Sequence, residues 1–131
     1  MTVIETSVWV DAFRGVSNAQ TNWLNLNLGS GEIALTDLVL FETLRGFGDV
    51  RQFRGAQEDL FKFAIFDTGG IDVAVESARN YQILRRRGIT IRSAIDCLIA
   101  TYCIHEGHSL LHNDRDFDPF EEHLGLKVIH P

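Results

Sequence analysis

The stretch Val3-Ile4-Glu5-Thr6-Ser7-Val8-Trp9 places one carboxylate between a short apolar run and the start of a helical pattern. The two apolar residues predict a short buried strand that ends at Glu5. Thr6 and Ser7 are candidate N-caps of the helix that follows. A charged residue at the end of a buried strand needs a partner, so Glu5 is the first candidate for a functional role.

The same alternation of short apolar runs and helical patterns continues along the chain. Further strands are predicted at residues 33–35, 63–66, 109–112 and 127–129. Helices are predicted at 18–28, 36–46, 50–63, 71–87, 93–107 and 117–123. Strands that alternate with helices favour an α/β fold, with a short central parallel sheet of about five strands flanked by helices on both sides.

Length and composition narrow the class of protein. A chain of 131 residues is long enough for one domain and too short for two, so we expect a single domain over residues 1–131. No apolar run approaches the ~18–20 residues that a membrane span needs. No signal peptide is visible, since the first residues have neither a basic nor a long apolar region. The two cysteines, Cys97 and Cys103, are too few for a disulfide framework. We expect a cytoplasmic protein without a membrane partner.

The net charge of −6 argues against non-specific binding to nucleic acid, which depends on positive charge. The distribution of charge qualifies that argument. Ten of the twelve basic residues are arginine, the side chain that forms forked contacts with phosphate. Residues 79–92 contain five arginines and no acid, whereas residues 114–122 are mostly acidic. This segregation predicts separate basic and acidic surfaces on one molecule.

Four acids that are distant in sequence are expected at one edge of the predicted sheet, because sites in open parallel sheets form beyond the carboxyl ends of the strands. They are Glu5, Glu42, Asp96 and Asp114. Carboxylates gathered in one cleft repel each other unless a cation neutralises them. Ligands that are all oxygen suit Mg²⁺ or Mn²⁺. Such a site predicts metal-assisted cleavage of a phosphodiester by water.

Each acid also has a structural interpretation. Asp96 lies three residues after Ser93, which fits a capping box at a helix start. Glu42 lies three residues before Arg45, which fits an exposed ion pair on a helix. The acids within residues 113–116 fit an ordinary turn. The spacing alone leaves both interpretations open for these acids.

Four blocks of the sequence, taken together and in this order, resemble PIN-domain proteins of the VapC toxin family. The blocks span nearly the whole chain, and the conjunction of all four is specific although each alone is weak. They are Val3-Ile4-Glu5-Thr6-Ser7-Val8-Trp9-Val10-Asp11 with Arg14-Gly15, Thr36-Asp37-Leu38-Val39-Leu40-Phe41-Glu42-Thr43-Leu44-Arg45-Gly46, Ile91-Arg92-Ser93-Ala94-Ile95-Asp96-Cys97-Leu98-Ile99-Ala100, and Leu110-Leu111-His112-Asn113-Asp114-Arg115-Asp116-Phe117.

The resemblance implies a PIN-like fold and a Mg²⁺- or Mn²⁺-dependent endoribonuclease that cleaves structured RNA, commonly tRNA or rRNA. It also implies the toxin half of a toxin–antitoxin pair. Such a toxin forms a homodimer that a VapB-like antitoxin inhibits in a heterotetramer or larger assembly. By position, the implied metal-binding and catalytic residues are Glu5, Glu42, Asp96 and Asp114, with Asp116 as an additional acid and the hydroxyls of Ser7 and Thr6 in support.

One position departs from the family pattern, which has aspartate where this chain has Glu5. The extra methylene lengthens the side chain by roughly 1.5 Å. Three explanations remain open: the site is adapted to glutamate, activity is reduced, or the residue was substituted to make a toxic protein expressible. A binding module that holds metal or RNA without cleaving it is therefore one alternative function. A PIN-fold RNA-processing nuclease outside toxin–antitoxin systems is the other.

An acidic protein that cleaves RNA needs a local source of positive charge. We expect two protomers to pair so that arginines flank the acidic cleft. The candidate RNA-binding residues are Arg14, Arg45, Arg85, Arg86, Arg87 and Arg92.

Overall fold

A fully buried strand, β1 (Thr2–Ile4), forms the centre of the fold. The computed structural model describes all residues from 1 to 131. The remaining strands are β2 (Ile33–Thr36), β3 (Ala64–Phe66), β4 (Ser109–Leu111) and β5 (Lys127–Val128). All five strands are parallel, in the order β3-β2-β1-β4-β5. The predicted α/β architecture with a five-stranded parallel sheet is confirmed.

Every predicted helix is present, with ends that differ from the predicted bounds by a few residues at most. The helices are α1 (Thr6–Phe13), α2 (Ala19–Asn27), α3 (Asp37–Leu44), α4 (Val50–Leu60), α5 (Ile71–Arg86), α6 (Ala94–Glu106) and α7 (Asp118–Leu124). A short 3₁₀ turn, Arg115–Phe117, precedes α7, in the region where the sequence fits an ordinary turn over residues 113–116. None of the helices combines the length and the apolar character that crossing a lipid bilayer requires.

The order of the strands places the helices on both faces of the sheet. The chain steps outward from β1 to β2 to β3 and then returns past β1 to β4. Right-handed crossovers put helices of the outward steps on one face and helices of the return on the other. Successive residues of β1 point to opposite faces and all are buried, as two covered faces require. The direction of winding reverses between β1 and β4, where open parallel sheets form their binding crevice.

The start of α1 corrects one prediction. Its N-cap is Glu5, whose backbone is still extended and whose side chain accepts a hydrogen bond from the backbone N–H of Ser7. Thr6 and Ser7 were wrong as candidate N-caps because the strand conformation continues through Glu5 and the helix begins at Thr6. Asn18, Thr36 and Ser93, the first residues of three of the predicted helical ranges, are the N-caps of α2, α3 and α6.

Packing between the sheet and α6 holds the acidic edge in place. Helix α6 buries Cys97, Ile99 and Cys103 in the hydrophobic core. Burial raises the pKa of the Cys103 thiol to about 12, so this cysteine acts as an apolar core residue. Both cysteines are free. Because α6 is anchored along its length, the position of its first turn relative to β1 and β4 is well defined.

Candidate metal centre

Five carboxylates meet at the edge where β1 and β4 end. Glu5, Glu42 and Asp96 each offer an oxygen atom within 4.8 Å of the other two. Asp96 offers the same proximity to Asp114 and Asp116, so it belongs to both groups. The four acids expected at one edge of the sheet, and the additional acid Asp116, are therefore brought together by four separate segments of the chain.

Glu5 is positioned by the junction between β1 and β4. It is only 3% exposed, and its carboxylate accepts hydrogen bonds from both the backbone N–H (2.9 Å) and the hydroxyl of Ser7. The Ser7 hydroxyl oxygen also accepts the backbone N–H of Asn113 at 3.0 Å, which ties the end of β1 to the end of β4. The backbone N–H of Glu5 donates to Leu111 across the same junction. Two strands thus fix the direction of one side chain.

Glu42 reaches the cluster from α3. Its carboxylate accepts the hydroxyl of Thr6 at 2.9 Å, and its side chain is 13% exposed. The guanidinium of Arg45 lies 3.8 Å from the other carboxylate oxygen and also covers the ring of Phe41. The ion pair predicted from the spacing is present, yet Glu42 belongs to the acidic cluster as well. The structural and the functional interpretation of this residue hold together.

Asp96 lies in the first turn of α6. Its backbone N–H donates to the Ser93 hydroxyl at 3.2 Å, but no reciprocal bond returns from its side chain, so only half of the predicted capping box forms. The Asp96 carboxylate is consequently free to face the other acids. The positive end of the helix dipole favours a negative charge at this position.

Asp114 and Asp116 follow β4. Asp114 caps the 3₁₀ turn, and its carboxylate accepts the backbone N–H of Asp116 at 2.9 Å. The turn predicted for residues 113–116 therefore exists, and it presents both carboxylates to Asp96. The backbone N–H of Asp114 donates to Nδ1 of His112 at 3.1 Å.

Crowding and burial make two of these carboxyls reluctant to ionise. Burial raises the pKa of Glu5 to about 7; the negative charges of Asp96 and Asp114 add to this effect, and the hydrogen bonds from Ser7 oppose it. Burial also raises the pKa of Asp96 to about 7, with further contributions from Glu42, Asp114 and Asp116. A divalent cation fits this site, because its ligands are all oxygen atoms and its charge would offset the repulsion between the carboxylates.

The predicted arginines fall into three groups by position. Arg45 lies beside Glu42 at the end of α3. The arginines of residues 85–92 lie at the end of α5 and in the segment before α6, where Arg85 contacts the hydroxyl of Tyr81 at 3.3 Å and Arg87 contacts Nδ1 of His123 at 2.8 Å. Arg14 lies at the far end of α1 from Thr6 and contacts none of the carboxylates.

His112 is a polar residue of this edge that the sequence reasoning missed. It was included in a predicted strand over 109–112, but the strand ends at Leu111. The side chain is buried and supports the backbone of Asp114. A signal was available, because a histidine directly after an apolar run and before the pair Asn113-Asp114 lies at the same edge as the acids.

Comparison with known proteins assigns this arrangement to a family. The PIN domain family model matches residues 2–122. Ribonuclease VapC11 of Mycobacterium tuberculosis is 30% identical over 123 residues, which cover 90% of each chain. The chain is a PIN-domain protein of the VapC family. VapC ribonuclease Mb1587 of Mycobacterium bovis matches the chain to the same extent.

Solved structures show the same fold. VapBC2 from Rickettsia felis, bound to a DNA fragment from its promoter, matches with a TM-score of 0.78 and 22% identity, covering 98% of this chain and 96% of that chain. FitAcB from Neisseria gonorrhoeae matches with a TM-score of 0.78 and 20% identity, covering 100% and 98%. VapC20 of Mycobacterium tuberculosis, described as a toxin that cleaves the sarcin–ricin loop, has a TM-score of 0.65 and 16% identity, covering 90% and 93%.

Proposed function

We propose that this VapC-family protein is a metal-dependent endoribonuclease and the toxin of a type II toxin–antitoxin pair, built as one PIN domain over residues 1–131. The observation that carries the proposal is the acidic cluster. Three carboxylate oxygens, one from the residue that follows β1 and the others from α3 and α6, lie within 4.8 Å of one another, and two of them are on buried residues whose pKa values are raised. Membership of the family indicates the reaction, RNA cleavage, and the acidic cluster indicates where on the molecule that reaction takes place.

The principal cation would be held by Glu5, Glu42 and Asp96. Asp114 and Asp116 would complete the site, because their carboxylate oxygens lie close to that of Asp96. Mg²⁺ or Mn²⁺ fits these oxygen ligands. The bound cation would supply charge stabilisation at the scissile phosphodiester and would lower the pKa of the attacking water.

The chain's own residues hold the cluster in shape. Ser7 fixes Glu5 through two hydrogen bonds, and Thr6 fixes Glu42 through one. The carboxylates act as an electrostatic scaffold, and no side chain forms a covalent intermediate with RNA. Because Glu5 and Asp96 resist ionisation at neutral pH, cation binding displaces protons from this cluster.

RNA binding would draw on the arginines around the cleft. Arg45 already lies at the cluster. The other candidates, Arg85, Arg86, Arg87 and Arg92, lie along the chain between the end of α5 and the start of α6. In a homodimer these side chains, together with Arg14, would flank the acidic cleft and offset the net charge of −6. The substrate would be a structured RNA such as tRNA or rRNA, met in the cytoplasm.

The same cleft offers a means of inhibition by a VapB-like antitoxin. An arginine or lysine of the antitoxin would pair with the desolvated carboxylates and exclude cation and substrate, in a heterotetramer or larger complex. Titration of nuclease activity with the product of the neighbouring small gene tests this part. If no product of a neighbouring gene inhibits the nuclease, the toxin role is refuted. The function that then remains is that of a PIN-fold RNA-processing nuclease.

Asp96→Asn tests the nuclease itself. We expect RNA cleavage in Mg²⁺ or Mn²⁺ to fall by about 10²- to 10³-fold, because the carboxylate shared by both groups is lost. Asp67→Asn is the matched control: this exposed aspartate follows β3 at the same sheet edge and lies outside the cluster. Cleavage by Asp96→Asn at the control rate, still dependent on the cation, would refute the assignment.

A further inference from the structure

The segment between β4 and the 3₁₀ turn carries Asp114 to the acidic cluster. Strand β4 ends at Leu111 and the turn begins at Arg115, so neither a strand nor a helix fixes the backbone at residues 112–114. The hydrogen bond that holds the backbone N–H of Asp114 comes from a side chain, because this N–H donates to Nδ1 of His112 at 3.1 Å. The direction of the Asp114 backbone therefore depends on one neighbouring imidazole.

The bond to His112 is the first of two successive turns of the same kind. His112 accepts the N–H of the residue two positions along the chain, and the carboxylate of Asp114 in turn accepts the N–H of Asp116 at 2.9 Å. Side-chain acceptors of this kind replace the hydrogen bonds that a strand or a helix would provide. Because the second turn starts from Asp114, His112 holds the path by which both acids approach Asp96.

The imidazole of His112 is itself held by the hydrophobic core. Its ring packs against the ring of Phe117 with the centroids 5.0 Å apart, and Phe117 is completely buried. Only 9% of His112 is exposed. A close-packed side chain has little freedom to change its rotamer, so Nδ1 points in one direction. The packing of the core thereby sets the direction of the Asp114 N–H.

The other ring nitrogen of His112 indicates that stability alone does not explain this residue. Since Nδ1 accepts a hydrogen bond, the ring is neutral and its proton is on Nε2. Nε2 is buried and has no hydrogen-bond partner, which lowers the free energy of unfolding. An apolar side chain of similar size would avoid this loss but would offer no acceptor to Asp114. A residue that provides an acceptor despite a loss of stability indicates a functional role.

We propose that His112 is a positioning residue of the cation site, which sets the orientation of Asp114 through Nδ1 and, through Asp114, the orientation of Asp116. The imidazole itself contacts neither cation nor RNA, because Nε2 is enclosed by the protein and Nδ1 is occupied by the Asp114 N–H. The inference rests on the proposed function, since it requires that Asp114 and Asp116 contribute to a cation site.

Two substitutions of His112 separate this role from simple packing. In His112→Leu the side chain fills most of the buried volume but has no acceptor, so the bond to Asp114 and the unpaired Nε2–H group are both lost. In His112→Asn the side-chain oxygen takes the position of Nδ1 and can accept the same N–H, but a cavity forms beside Phe117. His105→Leu is the control, because this exposed histidine lies at the opposite end of α6 from Asp96.

Mn²⁺ binding to each full-length protein is measured by titration calorimetry without RNA, and stability is measured by urea denaturation in EDTA. We expect His112→Leu to weaken Mn²⁺ binding by about 10-fold, the lower end of the loss seen when a group that orients a metal ligand is removed. Its midpoint in urea should be unchanged or raised. His112→Asn should show the reverse, with a lower midpoint and an Mn²⁺ affinity close to that of the unsubstituted protein. His105→Leu should leave the Mn²⁺ affinity unchanged.

A double-substitution cycle tests whether the effect acts through Asp114. Asp114→Asn should weaken Mn²⁺ binding by itself, and the addition of His112→Leu should cause no further loss. Losses that add in full would overturn the proposal. It would also be overturned by an unchanged Mn²⁺ affinity in His112→Leu, or by an equal loss of affinity in His112→Asn. If His112→Leu does not fold, His112→Ile, which is equally apolar, replaces it in each comparison.

The same measurements distinguish this inference from the proposed nuclease function. If the Mn²⁺ affinities follow the expected order and the unsubstituted protein cleaves no RNA, His112 retains its positioning role and only the nuclease is refuted. If RNA is cleaved but the affinities do not follow that order, only the role of His112 is refuted. If the unsubstituted protein binds no Mn²⁺, the cation site is refuted together with this inference.

Discussion

Asp37 and Asp96 occupy equivalent places in the fold and have opposite surroundings. Each lies in the first turn of a helix at an edge of the sheet. The carboxylate of Asp37 accepts three hydrogen bonds: from the N–H of Leu38 at 2.9 Å, and from the N–H (3.0 Å) and hydroxyl (2.6 Å) of Thr68. Asp96 accepts none and faces Glu5, Glu42, Asp114 and Asp116. Hydrogen-bond donors, rather than the place in the fold, distinguish a structural acid from a candidate functional acid.

Replacing each aspartate by alanine gives the largest expected difference in stability. Asp37→Ala removes three hydrogen bonds to a carboxylate and leaves the buried N–H of Thr68 unpaired, so we expect a loss of about 2–3 kcal/mol in the free energy of unfolding. Asp96→Ala removes like-charge repulsion and should leave the cation-free protein equally stable or more stable by about 1 kcal/mol. Urea denaturation in EDTA measures both values. Equal losses in the two variants would contradict the comparison.

The same contrast explains which parts of the site could be predicted from sequence. Glu5 and Asp114 follow apolar runs directly, so the strand-end rule placed both at one edge. Two of the hydrogen bonds that Asp37 accepts come from Thr68, which is 31 residues away and adjacent only once β2 and β3 pair. The helical and strand periods therefore predict where an acid lies, but its partners come from other segments.

Local details at the helix start show the same limit. Cap propensity favoured Thr6 and Ser7, yet Glu5 caps α1 because the pairing of β1 with β4 extends the backbone through it. Ser7 then serves as a bridge between Glu5 and Asn113. Such a bridge spans 106 residues and has no periodic signal in the sequence.

The dependence of stability on pH is the next largest expected effect. The pKa values of Glu5 and Asp96 rise from 4.5 and 3.8 to about 7 on folding, so between pH 4 and pH 7 the folded state binds more protons than the unfolded state. Stability of the cation-free protein should therefore fall as the pH rises through this window, by about 1–3 kcal/mol, and level off above pH 7.

Thermal or urea denaturation in EDTA at several pH values tests that sign. Saturating Mn²⁺ should reverse the trend, because the cation competes with protons for the same oxygens and binds better as they leave. Asp96→Asn should reduce the slope in EDTA, whereas Asp67→Asn should leave it unchanged. If the stability in EDTA rose with pH across this window, the cluster would not bind extra protons in the folded state.

The smallest expected effect concerns Glu5, the position where the sequence resemblance to the family leads us to expect aspartate. Glu5→Asp keeps the charge and retains an acceptor that suits the N-cap of α1. It shortens the reach toward Glu42 and Asp96 by roughly 1.5 Å, and we expect RNA cleavage to be kept or raised. Glu5→Gln keeps the shape and removes the charge, so cleavage should fall. Both are compared with the unsubstituted protein in Mg²⁺ and in Mn²⁺. A clear loss in Glu5→Asp would show that the bridge from Ser7 and Asn113 builds this site around the longer side chain.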